Sequence, residues 1–554
     1  MGPPEAGLTD LGLLRLEGGS YEELRSYFAL EVPERFNLAS SCLDRHPDLA
    51  PALIAVGGDG RVRRYSFGDI GRLAGALAGT FRELGLEPGD RVAVQHPQSP
   101  EVAITHMAAY KAGLIVVPLS YLFGPDGLSY RLGDSGARIL VTDRAGLDKL
   151  DGIWGDLPDL QHVILSEPSG SRDGRLLEFD RASSGPSLEA AATGADDPAT
   201  LLYTSGTTGR PKGALLPQRA LLGNLSGFCL SHEFFPQGDD LFWSPADWAW
   251  AGGLFDALLP TWFCGRCIVS APIGHFDPEW AYQLMAEHGV RNTFLFPTAL
   301  KMMRQSGIQP PPALRLRSVA SGGEALGEEI LAWGRETLGL TINEFYGQTE
   351  ANLFVGNCAS RWPVRAGSMG RPYPGFDVQV HSGEGGPVLA GEVGEVVLRT
   401  PSPNQFLNYW RQPAATAAKH RGGWLLTGDL ARFDGAGYLW FEGRADDIIL
   451  SAGYRIGPTD IEDCLMRHPE VAMAAVIGVP DPVRTQAIKA YVVLRPGIEA
   501  GAELEDALRQ HVKARLAAYQ YPRQFEFVTE LPMTTTGKIR RVELRRLDAL
   551  RGGT

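Results

Sequence analysis

The residues with the clearest capacity for chemistry form one run, Tyr203-Thr204-Ser205-Gly206-Thr207-Thr208-Gly209-Arg210-Pro211-Lys212-Gly213. Its glycines let a chain fold back so that backbone N–H groups converge, its hydroxyls add donors, and Lys212 supplies a cation; together these suit a polyphosphate. The run is not a G-x-x-x-x-G-K-[ST] loop, because Pro211 stands where the second Gly belongs and Gly213 follows the Lys. Apolar flanks at Leu201-Leu202 and Ala214-Leu215-Leu216 read as strands and argue against a flexible Ser/Gly linker. Farther along, Asp429 follows Thr427-Gly428, and a fixed carboxylate is the bidentate acceptor that a diol requires. Thr349-Glu350 pairs a hydroxyl with a hard oxygen donor suited to Mg²⁺, although the same pair could cap a helix from about Ala351. Tyr346 could stack on a flat ligand or fill core. No motif supplies a Cys or Ser covalent centre, so catalysis would rest on orientation and electrostatics.

Several further motifs follow in order: Tyr346-Gly347-Gln348-Thr349-Glu350, Gly367-Ser368-Met369-Gly370-Arg371-Pro372, Thr427-Gly428-Asp429, Gly443-Arg444-Ala445-Asp446-Asp447, Ser451-Ala452-Gly453-Tyr454-Arg455 and Thr534-Thr535-Thr536-Gly537-Lys538-Ile539-Arg540-Arg541. In this order and spacing the chain resembles the adenylate-forming superfamily of acyl-CoA synthetases, peptide-synthetase adenylation domains and luciferases, from about Phe36 to Arg541. The resemblance implies that Thr204, Ser205, Gly206, Thr207, Thr208, Gly209 and Lys212 hold the ATP phosphates. It places adenine between Tyr346 and Gly323-Glu324-Ala325, with Glu344, Phe345, Gly347 and Gln348 lining the nucleotide site. It gives the ribose to Asp429, the nucleotide also to Arg444 and Arg455, the α-phosphate to Thr349 and Mg²⁺ to Glu350. Lys538 would be the catalytic cation, stabilising charge on the carboxylate and α-phosphate oxygens as pyrophosphate leaves. Ala445 and Asp446 would be a hinge about which a small domain rotates between two half-reactions.

Within the superfamily the small domain is most similar to medium-chain acyl-CoA synthetases. Arg484, Tyr521, Pro522 and Arg523 match segments that contact the CoA nucleotide there, and arginines suit its phosphates. Ala452, Gly453 and Tyr454 would lie near the tunnel for the thiol arm. Trp248, Trp250, Ala251 and Gly252 match the acyl-pocket segment, and Gly347 stands where acetate-specific relatives carry a Trp, leaving room for a longer or ring-bearing acid. Leu216-Pro217-Gln218-Arg219 lacks the His that many relatives carry, and Ala325 replaces a common Pro.

The elements that must position these groups are legible as a rhythm. Short β-branched runs at 92–94, 114–117, 139–141 and 163–165 alternate with helical-period segments such as 101–112, the pattern of a parallel sheet covered by helices. It resumes at 267–270, at a helix over 278–288, at 293–296 and at 316–320 before a helix from about Leu326. Beyond Arg361 come Gly-punctuated strands at 376–380 and 395–398, a β-rich subdomain. After Asp447 stands a small α+β unit with helices at 458–467 and 502–516 and strands at 471–477, 490–494 and 526–528. The expected architecture is therefore α/β: a body over 1–444 with two parallel-sheet layers and a β-rich subdomain, a hinge over 445–447, and a mobile α+β domain over 448–554.

Composition bounds the alternatives. The 554 residues exceed the roughly 100–200 of one domain, and 44% apolar with 21% charged excludes a disordered polyelectrolyte. A net charge of −13 argues against bulk binding to nucleic acid or anionic membrane. Six cysteines are too sparse for a disulfide framework; Cys264 and Cys267 form a C-x-x-C with no second pair, inside what reads as a buried strand from Trp262-Phe263 to Ile268-Val269. No signal peptide is read at the N-terminus, and no apolar run reaches the roughly 18 residues of a spanning helix. A cytoplasmic enzyme, possible as a homodimer, is expected.

These readings converge on an ATP-dependent ligase that joins a medium-chain, branched or aromatic carboxylic acid to CoA through an acyl-AMP. An enzyme that loads a separate carrier protein shares every ATP motif; the sequence ends at Thr554 with no carrier segment, and the CoA-type arginines favour free CoA. A luciferase-like oxidase is disfavoured on the same ground. A non-catalytic nucleotide-binding homologue is disfavoured by the presence of Lys538, Glu350 and Asp429.

Overall fold

The computed structural model describes every residue except 1–6, 171–172, 205–210, 325, 446, 448, 452–453, 482–484, 516–519, 535–537 and 553–554. Its contacts gather into two compact units, one of Met1–Thr204, Pro211–Asp377 and Arg399–Gly423, the other containing Val378–Leu398 and Trp424–Thr554.

The larger unit holds two wide sheets. One runs Leu176–Glu178, His162–Leu165, Ile139–Thr142, Arg91–Gln95, Ile115–Leu119, Pro198–Thr204, Lys212–Pro217 and Asn408–Tyr409, parallel as far as Pro198–Thr204 and antiparallel beyond. The other runs Arg371–Pro372, Ala351–Gly356, Asn343–Gln348, Ser318–Gly322, Asn292–Phe294, Phe242–Trp243, Ile268–Ser270, Pro51–Val56 and Val62–Ser66, parallel in its centre and antiparallel at both edges. Ile115–Leu119 is buried at every position, as a parallel strand covered on both faces must be.

Local chemistry sets the helix ends. Ser99 caps Pro100–Lys111, whose N1 proline lacks only an N–H that would be unpaired. Asp277 caps Pro278–His288, and Gly289 closes that helix with φ of 72°. Glu101 apart, Pro100–Lys111 is buried on all sides, which places it between layers rather than on a surface.

In the smaller unit Val378–His381, Gly394–Arg399, Trp424–Phe433 and Leu439–Arg444 form an antiparallel sheet. A second sheet is built on the long hairpin of Val471–Asp481 and Thr485–Leu494, with Gln524–Phe527 parallel to its inner strand. Helices Pro458–Met466 and Ala502–Lys513 cover one face, where Ile461, Leu465, Leu504 and Leu508 meet Val476, Ile488 and Val492.

The reading of a mixed α/β fold with parallel sheets and a small C-terminal α+β domain holds. Two local expectations are corrected. Trp262-Phe263 ends the helix Leu259–Phe263, so Cys264 and Cys267 span a helix-to-strand turn rather than a strand. Thr349-Glu350 caps no helix: Gln348 pairs with Ala351, and the two residues are the turn of a β-hairpin, because the next segment, Ala351–Gly356, pairs back onto the sheet. All six cysteines are buried and unbridged. Among the described residues no helix is long and apolar enough to cross a membrane.

Candidate active site

The phosphate-loop run sits on a hairpin. Pro198–Thr204 and Lys212–Pro217 pair antiparallel with Thr204 opposite Lys212, and Thr204 Oγ1 donates to the Lys212 carbonyl at 3.3 Å. Ser205, Gly206, Thr207, Thr208 and Gly209 lie outside the described residues. Lys212 Nζ is 5.3 Å from the centroid of the Tyr409 ring, a cation–π contact supplied by the neighbouring strand, where Ala214 pairs with Tyr409. The Tyr409 hydroxyl donates to Oε1 of the buried Glu350, whose carbonyl also accepts from Phe406 N at 2.9 Å. One ring thus joins the cation of the first sheet to the carboxylate of the second. A buried carboxylate fixed by a neutral hydroxyl suits a hard divalent cation.

Parallel pairing places the nucleotide candidates at neighbouring strand ends. Ala320, Ser321 and Gly322 pair with Asn343, Glu344 and Phe345, so Gly323-Glu324 and Tyr346 emerge side by side at the carboxyl ends, where open α/β sheets bind ligands. Gly323 adopts φ of 96°, a conformation that only Gly adopts freely. Ala325 lies outside the described residues. Tyr346 packs edge-on to Phe354 with centroids 5.2 Å apart, which fixes its ring plane. Glu344 is buried and its Oε2 accepts from Leu326 N at 3.2 Å. Gln348 Oε1 accepts from Lys419 Nζ at 3.3 Å.

The acyl-pocket candidates run into a helix with an unusual turn. Trp248 is fully buried with its Nε1 unpaired among the described residues, and Trp250 meets Phe123 edge-on at 5.8 Å, while the Arg131 guanidinium lies 3.9 Å from the Phe123 centroid. Ala251–Gly253 begins a helix whose next turn, Leu254–Leu258, is a π-turn, a feature that recurs at functional sites. A Cβ on Gly252 would stand 3.0 Å from the Phe294 ring, and one on Gly253 would strike the Asp247 carbonyl at 2.2 Å. A Cβ on Gly347 would lie 2.3 Å from Leu353 N, so in this backbone its own hairpin fills the adjoining space. Asp247 is buried at its carboxyl, and its Oδ1 accepts from Ala249 N at 3.0 Å. Burial pushes its pKa up to about 6, against the opposing pull of the Ala249 N–H and Ser120 hydroxyl.

In the smaller unit antiparallel pairing sets Asp429 opposite Arg444, and Arg444 Nη1 donates to Asp429 Oδ1 at 3.3 Å. Gly428, at φ of 77°, turns the chain so that Asp429 N meets Thr427 Oγ1 at 3.0 Å. Ala445 N donates to the Gly428 carbonyl at 2.8 Å, tying the start of the candidate hinge to the same turn; Asp446 lies outside the described residues. Lys538 is held through its backbone: its N–H donates to Thr534 Oγ1 at 3.0 Å and its carbonyl accepts from Thr534 N at 2.7 Å, between Met533 and Ile539, which anchor in the core. Its backbone is therefore tied at both hydrogen-bonding groups to Thr534.

The CoA candidates divide. Arg484, Ala452 and Gly453 lie outside the described residues, as do the side chains of Tyr454 and Arg455. Tyr521 is flanked by Lys513 Nζ at 4.3 Å and Arg523 Cζ at 4.7 Å, a ring bearing two cations beside buried Pro522. Sequence reasoning missed Lys513, legible as the basic last turn of Ala502–Lys513, and Tyr409, which no local spacing marks.

The AMP-binding enzyme family matches residues 41–410, and the AMP-binding enzyme C-terminal domain matches 460–538. The mouse (Mus musculus) protein acyl-coenzyme A synthetase ACSM3, mitochondrial, is 32% identical over 95% of this chain and 93% of its own. An acyl-CoA synthetase of Brucella canis shares 34% identity, covering 96% of this chain and 99% of its own, at a TM-score of 0.73. The anthranilate CoA ligase AuaEII, solved with anthranoyl-AMP, shares 30% identity over 94% of this chain and 99% of its own, at a TM-score of 0.84. These relatives correct the cytoplasmic expectation, since the curated ones are named mitochondrial. Sparse cysteines fit any reducing compartment and do not separate cytosol from organelle.

Proposed function

The chain belongs to the AMP-binding enzyme family as an AMP-forming acyl-CoA synthetase, and from that premise we propose that its acid is medium-chain, branched or aromatic, with each candidate residue in the role given below. The reaction joins a carboxylate to ATP, releasing pyrophosphate, and then transfers the acyl group from AMP to the CoA thiol. ATP, Mg²⁺ and CoA are its co-substrates and metal.

Thr204 and Lys212 with the loop between them receive the phosphates, and Thr349 receives the α-phosphate. Glu350, held by Tyr409, is the carboxylate for Mg²⁺, which when bound neutralises phosphate charge. Asp429 accepts the ribose hydroxyls, with Arg444 orienting its carboxylate. Lys538 supplies the cation that matters most where charge builds on the reacting oxygens, so it lowers the barrier of adenylation in particular. Lys513, Arg523 and Tyr521 offer two charges and a ring face to the CoA nucleotide. Residues 445–447 are the pivot by which the C-terminal segment serves both half-reactions, and no group of the enzyme becomes covalently acylated.

The observation that carries this assignment is the Lys212–Tyr409–Glu350 chain, which sets a cation and a hard carboxylate at one strand end beside the turn bearing Thr349. The test is pyrophosphate and AMP release from Mg·ATP over acids from acetate through octanoate, branched acids and benzoate, with and without CoA. Thioester with medium, branched or aromatic members is the expected result; acetate as the preferred acid would defeat the acid assignment.

A further inference from the structure

Helix Leu254–Leu258 carries a group that the acyl pocket of a hydrocarbon acid would not need. Asp256 is fully buried, and among the described residues its only hydrogen-bond partner is Asn352, whose Nδ2 donates to Oδ1. Among the described residues no cation faces it, and burial raises its pKa well above the usual carboxylate range with only the Asn352 amide opposing. A carboxyl so placed offers acceptor lone pairs and, when protonated, a hydroxyl donor as well.

The position of this pair is the second observation. Oδ2 of Asp256 lies 3.9 Å from where a Cβ on Gly252 would stand, beside the Phe294 ring, which in turn packs on Phe345 at 5.3 Å. Asn352 is the residue against which Gly347 packs, its Cα 2.9 Å from a Gly347 Cβ, and its carbonyl is held by Asn404 Nδ2 at 2.5 Å. The pair thus joins the two segments assigned to the acyl pocket, Trp248–Gly252 and Gly347. Asp256 lies within the π-turn Leu254–Leu258, and a structural tie between helix and hairpin would not require an acid.

We propose that Asp256 and Asn352 form a polar specificity patch in the acyl pocket that selects acids bearing a hydroxyl over the matched hydrocarbon acids. This rests on the placement of the pocket given above. A hydroxyl both donates and accepts, so it matches a carboxyl in either protonation state together with an amide, whereas a hydrocarbon leaves them desolvated and unpaired. An ammonium would instead demand the ionised carboxylate.

The test is kcat/KM for thioester formation by the full chain with matched pairs: hexanoate and its hydroxylated and amino forms, benzoate and its hydroxylated and amino forms. The native protein should favour the hydroxylated member of at least one series by about tenfold or more. Asp256→Leu should bring that ratio to about one or invert it, while the near-isosteric Asp256→Asn keeps most of it. Ala251→Leu checks the placement by penalising longer acids whatever their substituent. A native preference for the plain or amino acid in both series overturns the proposal, as does an unchanged ratio in Asp256→Leu. If Ala251→Leu alters the acid profile while Asp256→Leu does not, the patch alone falls; if neither alters it, the pocket placement falls with it.

Discussion

Lys538, Tyr409 and Asp247 each make a separate residue-scale prediction. Lys538→Ala should lower acyl-AMP formation by on the order of a hundredfold or more, yet spare thioester formation from supplied acyl-AMP, because the ammonium serves charge that develops only in the first step. Equal loss in both steps would remove its assigned role. Tyr409→Phe deletes one hydroxyl and leaves the Glu350 carboxylate without its donor; the Mg²⁺ concentration for half-maximal rate should rise by about tenfold, with the acid KM little changed. Asp247 predicts a pH effect. Its folded pKa is raised from 3.8 to about 6, so its favourable contribution is complete below the lower value and is lost as pH rises through the higher. Asp247→Asn should therefore be more stable than the native protein at pH 8, by up to about 3 kcal/mol, with the gain vanishing near pH 4 in paired denaturant melts. Sequence disclosed the residue types and order of Lys212, Thr349, Glu350 and Asp429. It could not disclose Tyr409, whose partner Glu350 lies 59 positions away and meets it only through sheet order.

At the scale of elements, the strands and helices that alternate in the body were readable because apolar period and length agree with the caps: Pro278–His288 begins at Asp277 and ends at Gly289 as its sequence requires. The hairpin at Thr349-Glu350 was not, since a Thr-Glu pair before Ala351 satisfies helix capping equally well and only pairing with a sheet edge decides. That hairpin is also tightly constrained. Leu353 adopts φ of 50° and its amide occupies the space beside Gly347. Gly347→Ala should thus shift the turn rather than merely fill a pocket, costing about 1–3 kcal/mol and lowering kcat by up to about a hundredfold through displaced Thr349 and Glu350. Thermal melting and ATP–pyrophosphate exchange measure the two effects; a variant with native stability and a shortened acid range would contradict it.

Across the whole molecule, contacts divide the chain so that Val378–Leu398 groups with Trp424–Thr554, a grouping invisible to a sequence that runs through 399–423 in between. Within that unit Arg541 donates to Asp447 at 3.3 Å and to Glu462 at 2.5 Å, and Arg545 donates to Asp447 at 2.8 Å, with both carboxylates buried. The cluster links Asp447, at the end of the proposed pivot, to the helix that follows the Lys538 segment. Arg541→Met leaves Glu462 without a cation and should destabilise this unit by about 3–5 kcal/mol. Calorimetry should then show one transition moved down and a second, from the larger unit, unmoved; a single transition shifted as a whole would mean that the two units melt together. The burial of all six cysteines has a practical corollary for watching these units at work. Thiols shut away from water react slowly with maleimides, so an engineered surface cysteine in each unit would take up dye ahead of every native one. Fluorescence energy transfer between the two dyes, followed through a single turnover, would test the proposed pivot in a chain that keeps all six of its own cysteines.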